Sequence, residues 1–363
     1  MSIRKIYNVI GIMSGTSMDG MDFSYVKTDG KNFVKIITEK SYRYSNKYRN
    51  KLIKINKNYQ KKGLTKFDED IVTKEFIKLI KRFLKEKKIK KKLVDFIGLS
   101  GQTIYHDPKN KKSIQLGSCK IIKEKLNINI VGQFRQNDIN NGGQGAPIGA
   151  FYHKYIIDNF LENSAILNIG GISNLTFIKK KLIAFDVGPG NCIIDDICMK
   201  YFKKNYDKNG KIAFKGKTNH KIIKLFEKDI YFKKKYPKSL DRDYFSRYLN
   251  ILNNIKKNDS VNTAANMTIK SIIIAIKKFN IKINKLILTG GGRKNLYIFK
   301  NLKKILKKDK IDVQLVEKIN FNGDMLESQA FAYIAVRSYL KLPLSIPTTT
   351  GVKKPSIGGK VYK

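Results

Sequence analysis

The chain has 363 residues, 42% of them hydrophobic, which is enough to fill the cores of two domains of ordinary size. The longest apolar runs, such as residues 272–276, are too short to cross a bilayer, and the short apolar stretch near the N-terminus is typical of a first strand rather than a signal peptide. Three irregularly spaced cysteines fit neither a disulfide framework nor a zinc site, so we expect a protein of the reducing cytoplasm.

The formal net charge of +45 has two explanations. A large positive field recruits polyanions such as nucleic acid or an anionic membrane. Alternatively, the lysines reflect the coding bias of an AT-rich genome, because they are spread along the whole chain together with abundant Asn and Ile. No aromatic-interleaved basic motif or zinc finger accompanies them, so we expect no specific nucleic-acid partner and no membrane partner.

The first half of the chain is predicted to begin with three strands and to continue with alternating helices and strands. Residues 9–10 lead into a glycine-rich turn, and apolar residues at helical spacing predict an amphipathic helix over 67–85. The other predicted elements are strands at 23–26, 33–38, 93–99 and 128–131 and a short helix at 121–126.

The second half repeats this order without residue-level similarity, and its charged, turn-rich segment 205–242 is predicted to be an insertion. Two such halves, each with a glycine turn near its start, predict an α/β protein whose two lobes face one cleft. The predicted strands are 165–169, 175–178, 183–185, 286–288 and 313–316, and the predicted helices are 263–278 and 326–340.

The most informative segment is the turn that follows the first strand, within Gly11–Asp22. Glycines let a backbone approach an anion closely, and hydroxyl side chains add hydrogen-bond donors. Asp19 and Asp22 would repel a bare phosphate, so they indicate a divalent cation beside it. An ordinary β-hairpin with a polar turn explains the same residues, and the residues alone leave both interpretations open.

Asp186 follows a short predicted strand and directly precedes a glycine turn at 187–190. A strand end beside such a turn points a side chain into a cleft, where a carboxylate can act as a general base. An aspartate at this place can equally cap the helix that is predicted to begin near Asn191. The residues alone do not separate these two roles.

Taken together, these motifs resemble the anhydro-N-acetylmuramic acid kinases, a bacterial sugar kinase family of the hexokinase, Hsp70 and actin fold. The resemblance covers nearly the whole chain, and the order and spacing of its motifs make it specific. The matching segments are 11–22, 101–103, 134–135 with Asp138, 142–147, 168–174, 185–191, 290–292 with Asn295, and Glu327 with 330–332.

The resemblance implies a two-lobed actin-like ATPase (ribonuclease H-like) fold, in which mixed sheets are flanked by helices around a central cleft. We expect an N-terminal lobe over 1–132 with the first phosphate loop and the sugar contacts. A C-terminal lobe over 133–340 would carry the catalytic aspartate, the second phosphate loop and the adenosine loop. The extended tail, 341–363, is expected to pack back on the N-terminal lobe.

The resemblance also implies an ATP-dependent reaction in the recycling of cell-wall peptidoglycan. The substrate of the family is a 1,6-anhydro sugar, whose bridging 6-oxygen has no hydrogen to give up. The base activates a water that attacks the anomeric carbon, and the released 6-oxygen takes the γ-phosphoryl group of ATP to give N-acetylmuramate 6-phosphate. Asp186 matches the position of the family's catalytic base.

ATP and Mg2+ are the expected cofactors, with Asp19 or Asp22 holding the magnesium through water. For residues 290–292, an ordinary strand-to-helix connection remains the alternative to adenosine binding. The first turn, expected at the β- and γ-phosphates, comprises Gly15, Thr16, Ser17, Met18, Asp19, Gly20, Met21 and Asp22. The second phosphate turn comprises Gly188, Gly190 and Asn191, and the adenosine loop comprises Gly290, Gly291 and Gly292 with Asn295 nearby.

Four residues match family positions at or near the muramic acid site: Thr103, Arg135, Gln144 and Glu327. The lactyl carboxylate of that sugar calls for a cation, and arginine offers a bidentate geometry that lysine lacks. Gln144, together with Asp138, is expected to orient this group of residues. Stabilisation of a turn explains Asp138 and Gln144 equally well.

One departure from the family pattern is Ser100, which stands where the family has a histidine. A serine still forms hydrogen bonds but does not titrate near neutrality. The fold and the base are unaffected, whereas the finer substrate contacts are left open. His106 and His153 are expected to be structural.

Two other functions stay open. A different sugar kinase on the same fold would phosphorylate a free hexose or hexosamine but not the anhydro sugar. A non-enzymatic actin-like or chaperone-like ATP switch would hydrolyse ATP slowly, whether or not a sugar is present. The expected partners are an amino sugar and ATP, and a monomer and a homodimer are both compatible with the sequence.

Overall fold

The computed structural model of the chain describes residues 5–107 and 110–363. Its strands are β1 (Tyr7–Ser14), β2 (Gly20–Thr28), β3 (Val34–Arg43), β4 (Phe96–Asp107), β5 (Lys112–Leu116), β6 (Ile130–Gly132), β7 (Ser164–Ile169), β8 (Ile172–Lys179), β9 (Lys181–Pro189), β10 (Lys285–Thr289), β11 (Asp312–Leu315) and β12 (Lys360–Tyr362). Its α-helices are α1 (Asn46–Lys62), α2 (Lys66–Glu86), α3 (Cys119–Leu126), α4 (Gln136–Asn140), α5 (Ala150–Phe160), α6 (Cys192–Phe202), α7 (His220–Glu227), α8 (Ile230–Lys233), α9 (Arg247–Leu252), α10 (Lys257–Lys278), α11 (Leu296–Leu306) and α12 (Leu326–Tyr339). None of these helices has the length and apolar content that a membrane span needs.

The chain forms two compact units. The first unit combines Met1–Tyr155 with Met325–Lys363, and the second unit is Ile156–Asp324. These limits differ from the predicted boundaries after residues 132 and 340, because α4, the first half of α5 and the whole of α12 fall in the first unit.

Close packing on strand glycines explains why α12 belongs to the first unit. A Cβ at Gly11 of β1 would lie 1.9 Å from the carbonyl oxygen of Ser328, and one at Gly98 of β4 would lie 2.2 Å from that of Phe331. Only glycine therefore lets this helix approach the sheet so closely.

The sheet of the first unit has the strand order β12-β6-β4-β1-β2-β3, with β5 paired to β4. The strands β1, β2 and β3 are antiparallel, whereas β4 runs parallel to β1 and β6 runs parallel to β4. The tail strand β12 pairs antiparallel with β6. This arrangement places the β1–β2 turn and the continuation of β4 at the same edge of the sheet.

The helix predicted over 67–85 is confirmed as α2. Thr65 caps it: its hydroxyl accepts from the Asp68 N–H, and the Asp68 carboxylate accepts from the Thr65 N–H. Phe76, Ile80 and Phe83 of the apolar stripe are fully buried in the core of the first unit. The predicted spacing therefore corresponds to a buried face.

The sheet of the second unit has the order β11-β10-β7-β8-β9. Here β7, β8 and β9 are antiparallel, and β10 and β11 are parallel to β7 and to each other. Three antiparallel strands followed by parallel ones is also the order of the first sheet. The predicted α/β, ribonuclease H-like class is therefore confirmed, and the β1–β2 and β7–β8 turns are topological equivalents.

The core of the second unit lies around α10, which begins at Lys257, six residues before the predicted start. The segment 205–242 is more structured than a turn-rich insertion, since it contains α7 and α8. Asn262 of α10 ties the segment to the core, because its Nδ2 donates to the carbonyl oxygens of Ala213 at 2.8 Å and Gly216 at 3.0 Å.

Candidate active site

The first predicted phosphate turn is shorter than the motif suggested, because it occupies only residues 15–19 between β1 and β2. Gly20, Met21 and Asp22 lie within β2 instead. A Cβ at Gly20 would stand 2.5 Å from the Tyr42 carbonyl oxygen, so glycine there serves the pairing with β3. The side chains of Met18 and Met21 are buried in the core. These two methionines can therefore offer a ligand only their backbone groups.

A buried hydrogen-bond network fixes the start of this turn. The Ser14 hydroxyl donates to Gln102 Oε1 at 2.6 Å and lies 2.9 Å from the Tyr44 hydroxyl. Gln102 Nε2 then donates to the carbonyl oxygen of Gly15 at 3.0 Å. Gln102 lies on β4 and is fully buried, so its hydrogen bonds anchor the start of the turn rigidly to that strand.

Ser100, the departure from the family pattern, has a structural task in this network. Its hydroxyl accepts from the Ser14 N–H at 3.0 Å and donates to the Gly101 carbonyl oxygen at 3.0 Å. These bonds lie where the pairing of β1 with β4 shifts register, between Ile12 and Ser14. The register shift removes a strand hydrogen bond here, and the hydroxyl of Ser100 forms a hydrogen bond in its place.

Two carboxylates accompany the first turn. Asp19 is exposed and its Oδ1 accepts from the Ser17 hydroxyl at 2.6 Å, whereas Asp22 is half-buried in β2 opposite Met13. Mg2+ binds proteins through one or two carboxylates and takes its other ligands from water and phosphate, so this pair suits it. Within residues 5–107 and 110–363, no group of three or more His, Cys, Asp or Glu side chains forms a metal-binding cluster.

One pocket of the first unit brings two predicted substrate residues together. Thr103 and Arg135 line it, and so do the hydroxyl-bearing Ser14 and Ser100. The pocket thus combines a guanidinium, several hydroxyls and an apolar wall. Its remaining lining residues are Met13, Gln115, Phe134, Ile148 and Phe331.

Asp138 holds the loop that orients Arg135. Its two carboxylate oxygens accept from the Gly145 N–H at 2.6 Å and the Thr350 hydroxyl at 2.5 Å. Arg135 Nη1 donates to the Gly145 carbonyl oxygen at 3.0 Å, and the Gln144 N–H donates to that of Thr350 at 2.8 Å. Asp138 is 1% exposed and does not line the pocket, so it stabilises the turn whose Gly145 carbonyl oxygen Arg135 binds.

Glu327 and Gln144 are not among the described residues that line this pocket. Glu327 is exposed in the first turn of α12, and Phe331, which does line the pocket, lies one turn later on the same face. The structure therefore brings Thr103 and Arg135 together in this pocket and does not place the other two predicted substrate residues in its lining.

Asp186 does not stand at a strand end, as the sequence pattern suggested, because β9 continues to Pro189. A bulge at Val187 explains the difference: Asp186 pairs with Asn174, whereas Gly188 pairs with Ser173. The Asp186 side chain is buried, and its Oδ2 accepts from the Leu240 N–H at 2.8 Å. The capping alternative is wrong, because α6 begins at Cys192 with Asn191 in the N-cap position.

In the predicted second phosphate turn, two backbone N–H groups form hydrogen bonds with the β7–β8 turn. The N–H groups of Gly190 and Asn191 donate to the carbonyl oxygens of Gly171 at 2.9 Å and Gly170 at 2.8 Å. A Cβ at Gly190 would lie 2.2 Å from the Gly170 oxygen, and one at Gly188 would lie 2.4 Å from Ser271 Cβ. Packing therefore explains both glycines, and these amides are occupied by the β7–β8 turn rather than left for phosphate.

The β7–β8 turn itself is the candidate that the sequence pattern did not single out. A Cβ at Gly170 would have its nearest neighbour at 3.4 Å, and one at Gly171 at 4.0 Å. Packing therefore does not demand glycine at either position, although close approach of a ligand would. The signal was available, because segment 168–174 matched the family and repeats the position of the first turn.

The three glycines after β10 differ in whether packing requires glycine at their position. A Cβ at Gly290 would lie 2.2 Å from Asn168 Oδ1, and one at Gly292 would lie 2.2 Å from Ile169 Cγ2. At Gly291 a Cβ would meet no atom within 4 Å. Gly290 and Gly292 therefore pack against β7, and Gly291 is the one of the three that faces open space.

Arg293 and Asn295 fix this loop. Arg293 is 3% exposed; its Nη1 donates to the Gly290 carbonyl oxygen at 2.9 Å and to Asp324 Oδ1 at 2.8 Å. Burial raises the pKa of the Asp324 carboxyl, but hydrogen bonds from Arg293 and Lys294 outweigh burial and lower it. Asn295 caps α11, since its Oδ1 accepts from the Tyr297 N–H at 3.1 Å and also from the next amide.

Two ribonuclease H-like units, each with a glycine-bearing turn after its first strand, define an α/β protein of the actin-like ATPase type. The family model described as anhydro-N-acetylmuramic acid kinase matches residues 7–363. The chain therefore belongs to the anhydro-N-acetylmuramic acid kinase family. It is an enzyme, a kinase, and kinases of this type use ATP.

Individual relatives agree with this assignment. The anhydro-N-acetylmuramic acid kinase of Pelagibacter ubique is 38% identical over 384 residues, covering 99% of this chain and 100% of the relative. That of Zymomonas mobilis is 35% identical over 365 residues, covering 97% and 99%. Among solved structures, component A of (R)-2-hydroxyglutaryl-CoA dehydratase from Acidaminococcus fermentans is similar with a TM-score of 0.47 and 12% identity, covering 91% of this chain and 99% of that one. The assignment rests on the sequence relatives.

Proposed function

We propose that the chain is a cytoplasmic, ATP-dependent kinase that opens 1,6-anhydro-N-acetylmuramic acid with water and phosphorylates it, as a step of peptidoglycan recycling. The product is N-acetylmuramate 6-phosphate. The observation that carries the proposal is the Asp186 carboxylate, which is buried and held by the Leu240 N–H. A fixed carboxylate in a largely dry place suits a general base better than a solvated surface aspartate does.

The first unit supplies the sugar contacts in this proposal. Arg135 binds the lactyl carboxylate, and Thr103 and Ser100 form hydrogen bonds with hydroxyl groups of the sugar. The support is that all three side chains line one pocket with Phe134 and Phe331, whose rings suit the apolar face of a sugar. Glu327 joins this group from the first turn of α12, and Gln144 acts through the Arg135 loop.

The glycine-bearing turns bind the nucleotide in this proposal. Residues 15–19 of the first turn contact the β- and γ-phosphates, and the Gly170–Gly171 turn takes the equivalent place in the second unit, with residues 188–191 supporting it from behind. Gly291 lies against the adenosine, where a side chain would obstruct binding. Asp19 and Asp22 would hold Mg2+. When bound, the magnesium neutralises phosphate charge during transfer.

The proposed chemistry balances as one hydrolysis coupled to one phosphoryl transfer. Asp186 takes a proton from a water molecule whose oxygen bonds to the anomeric carbon. The bond between that carbon and the 6-oxygen breaks, and its electron pair stays on the 6-oxygen. This oxygen then bonds to the γ-phosphorus of ATP, and ADP leaves. Since phosphoryl transfer needs mainly positioning and neutralised charge, no second protein base is required.

Mass spectrometry of the product made in heavy-oxygen water tests the proposal. With ATP, magnesium and the anhydro sugar, we expect one heavy oxygen at the anomeric hydroxyl and phosphate on the 6-oxygen. Phosphorylation of a free hexose but not of the anhydro sugar would instead indicate another sugar kinase. Slow ATP hydrolysis that no sugar changes would indicate an ATP switch and would overturn the proposal.

A further inference from the structure

The segment 229–240, part of the region that the sequence pattern treated as an insertion, holds Asp186 at three points. The Asp186 N–H donates to the Lys238 carbonyl oxygen at 3.0 Å. The Tyr231 hydroxyl donates to the Asp186 carbonyl oxygen at 2.5 Å, and the Leu240 N–H donates to the carboxylate at 2.8 Å. The backbone and the side chain of Asp186 are therefore both fixed by one short segment.

Lys238 is the unexpected member of this segment, because it is a lysine with only 6% of its surface exposed. Its ammonium donates to the Tyr231 carbonyl oxygen at 3.3 Å and lies 4.2 Å from the centre of the Tyr231 ring. The rings of Phe185 and Phe279 are also close, at 5.8 and 5.6 Å. Buried lysines are rare in proteins unless a partner compensates their charge.

The charge of Lys238 acts on the neighbouring carboxylate. Burial lowers the pKa of the Lys238 ammonium, the positive Lys278 and Lys234 lower it further, and Asp186 raises it, with a result of about 8. The Lys238 ammonium and the Asp186 carboxylate therefore attract each other. A leucine or methionine of similar length would fill the same space without this effect.

We propose that Tyr231 and Lys238 are positioning residues for the Asp186 carboxylate, with the Lys238 ammonium holding Tyr231, and through it the strand that carries Asp186, in place. This inference rests on the proposed role of Asp186 as the base. The Tyr231 hydroxyl fixes the strand that carries Asp186. The Lys238 ammonium in turn fixes Tyr231 by contacting the carbonyl oxygen and the ring of that tyrosine. Neither residue needs to touch the substrate.

The test compares Lys238→Met with Lys234→Met in the ATP- and anhydro-sugar-dependent reaction. Lys234 is a matched control, because it is exposed on the same segment with its ammonium 6.0 Å from the same ring. Lys238→Met should lower kcat by about ten- to a hundred-fold, as misplacement of a catalytic group does, with the KM for ATP within about two-fold of the original. Lys234→Met should leave both constants unchanged.

The pH profile separates positioning from mere support of the fold. Lys238 is protonated below its pKa of about 8; above that value the neutral amine loses its attraction to the Tyr231 ring, so kcat of the unchanged enzyme should fall as the pH rises through that value. The Lys238→Met variant should lose this alkaline fall, whereas Lys234→Met should keep it, moved to higher pH because Lys234 lowers the pKa of Lys238. The charges that act on Lys238 are those of Asp186 on β9, Lys234 just after α8 and Lys278 on α10. The nearby titratable phenols are Tyr231, whose ring the ammonium approaches, and Tyr236, whose ring stacks on Phe185.

Two further variants make every outcome decisive. Tyr231→Phe removes only the hydroxyl that binds the Asp186 carbonyl oxygen, and it should also lower kcat; it decides the question if Lys238→Met does not fold. Normal kcat in Tyr231→Phe and in a folded Lys238→Met would overturn the inference. If Asp186→Asn is inactive at the same time, only this inference fails; if Asp186→Asn is active, the proposed base fails with it.

Discussion

Asp186 can be tested at the scale of a single atom, because asparagine has almost the same shape and can still accept the hydrogen bond from the Leu240 N–H. Asp186→Asn should keep ATP binding but lower turnover roughly a hundred-fold or more, the usual cost of losing a general base. Turnover is measured by ADP release and ATP affinity by calorimetry. The exposed Asp241→Asn on the neighbouring segment is the control. Near-normal turnover of Asp186→Asn would remove this residue from the mechanism.

Ser100 shows what a sequence can and cannot reveal about one residue. The absence of the family histidine is visible in the sequence, but the partner of the serine is the Ser14 N–H, 86 positions away. That contact depends on a shift of register between β1 and β4, which no local pattern announces. Ser100 therefore has its own structural reason in this chain, apart from any contact with a substrate.

The histidines follow the expectation of structural roles. Burial lowers the pKa of His153 to about 4, and burial together with the Arg135 charge does the same for His106. His106 Nδ1 lies 2.9 Å from the Ser113 hydroxyl. Both rings are therefore neutral at physiological pH, so neither changes its charge in the range where an unperturbed histidine titrates.

At the scale of elements, periodicity predicted some helices well and others not at all. The amphipathic α2 was found because its apolar residues recur at helical spacing. No helix was predicted over α1, whose lysine-rich sequence has few apolar residues, although Tyr48, Leu52 and Ile55 are buried on one face. The predicted end of β9 was wrong for a different reason. A bulge lets the strand continue through Asp186, and bulges depend on the partner strand.

The glycine turns illustrate the same limit for the candidate site. The motifs at 188–191 and 290–292 are visible in the sequence, but whether a glycine serves a ligand or a neighbouring strand depends on the packing. Gly190 and Gly292 have protein atoms 2.2 Å from a would-be Cβ, whereas Gly291 has none within 4 Å. The Gly170–Gly171 turn lies in a segment that already matched the family, but the order of the strands is what makes it the counterpart of the first turn.

Two neighbouring glycines therefore offer a paired experiment. Gly292→Ala should destabilise the fold by about 1–3 kcal/mol, as overpacking does, because the new methyl group meets Ile169 Cγ2. Gly291→Ala should have the same stability as the unchanged protein, since its methyl group points into open space. It should raise the KM for ATP, because the adenosine is proposed to lie in that space. Denaturant unfolding and steady-state kinetics measure the two effects. An unchanged KM in Gly291→Ala would take this loop out of nucleotide binding.

At the scale of the molecule, the two units share one sheet topology but divide the proposed chemistry. The first unit contains the pocket with Thr103 and Arg135, and the second unit contains the fixed carboxylate of Asp186. The fold class could be predicted because each half repeats strands, a glycine turn and helices. The limits of the units could not, because α12 returns to the first sheet through contacts at Gly11 and Gly98, which are distant in sequence.

The net charge of the whole molecule leads to a prediction about the binding of polyanions. With 74 basic and 29 acidic residues, the chain should attract any polyanion at low salt. A DNA oligonucleotide should bind at about 20 mM salt and release by roughly 0.3 M, because counterion-driven affinity falls steeply with salt. Fluorescence anisotropy across a salt series measures this binding, and random and defined sequences should bind alike. Binding that resists salt or prefers one sequence would indicate a built nucleic-acid site and would contradict the view that the lysines only reflect coding bias.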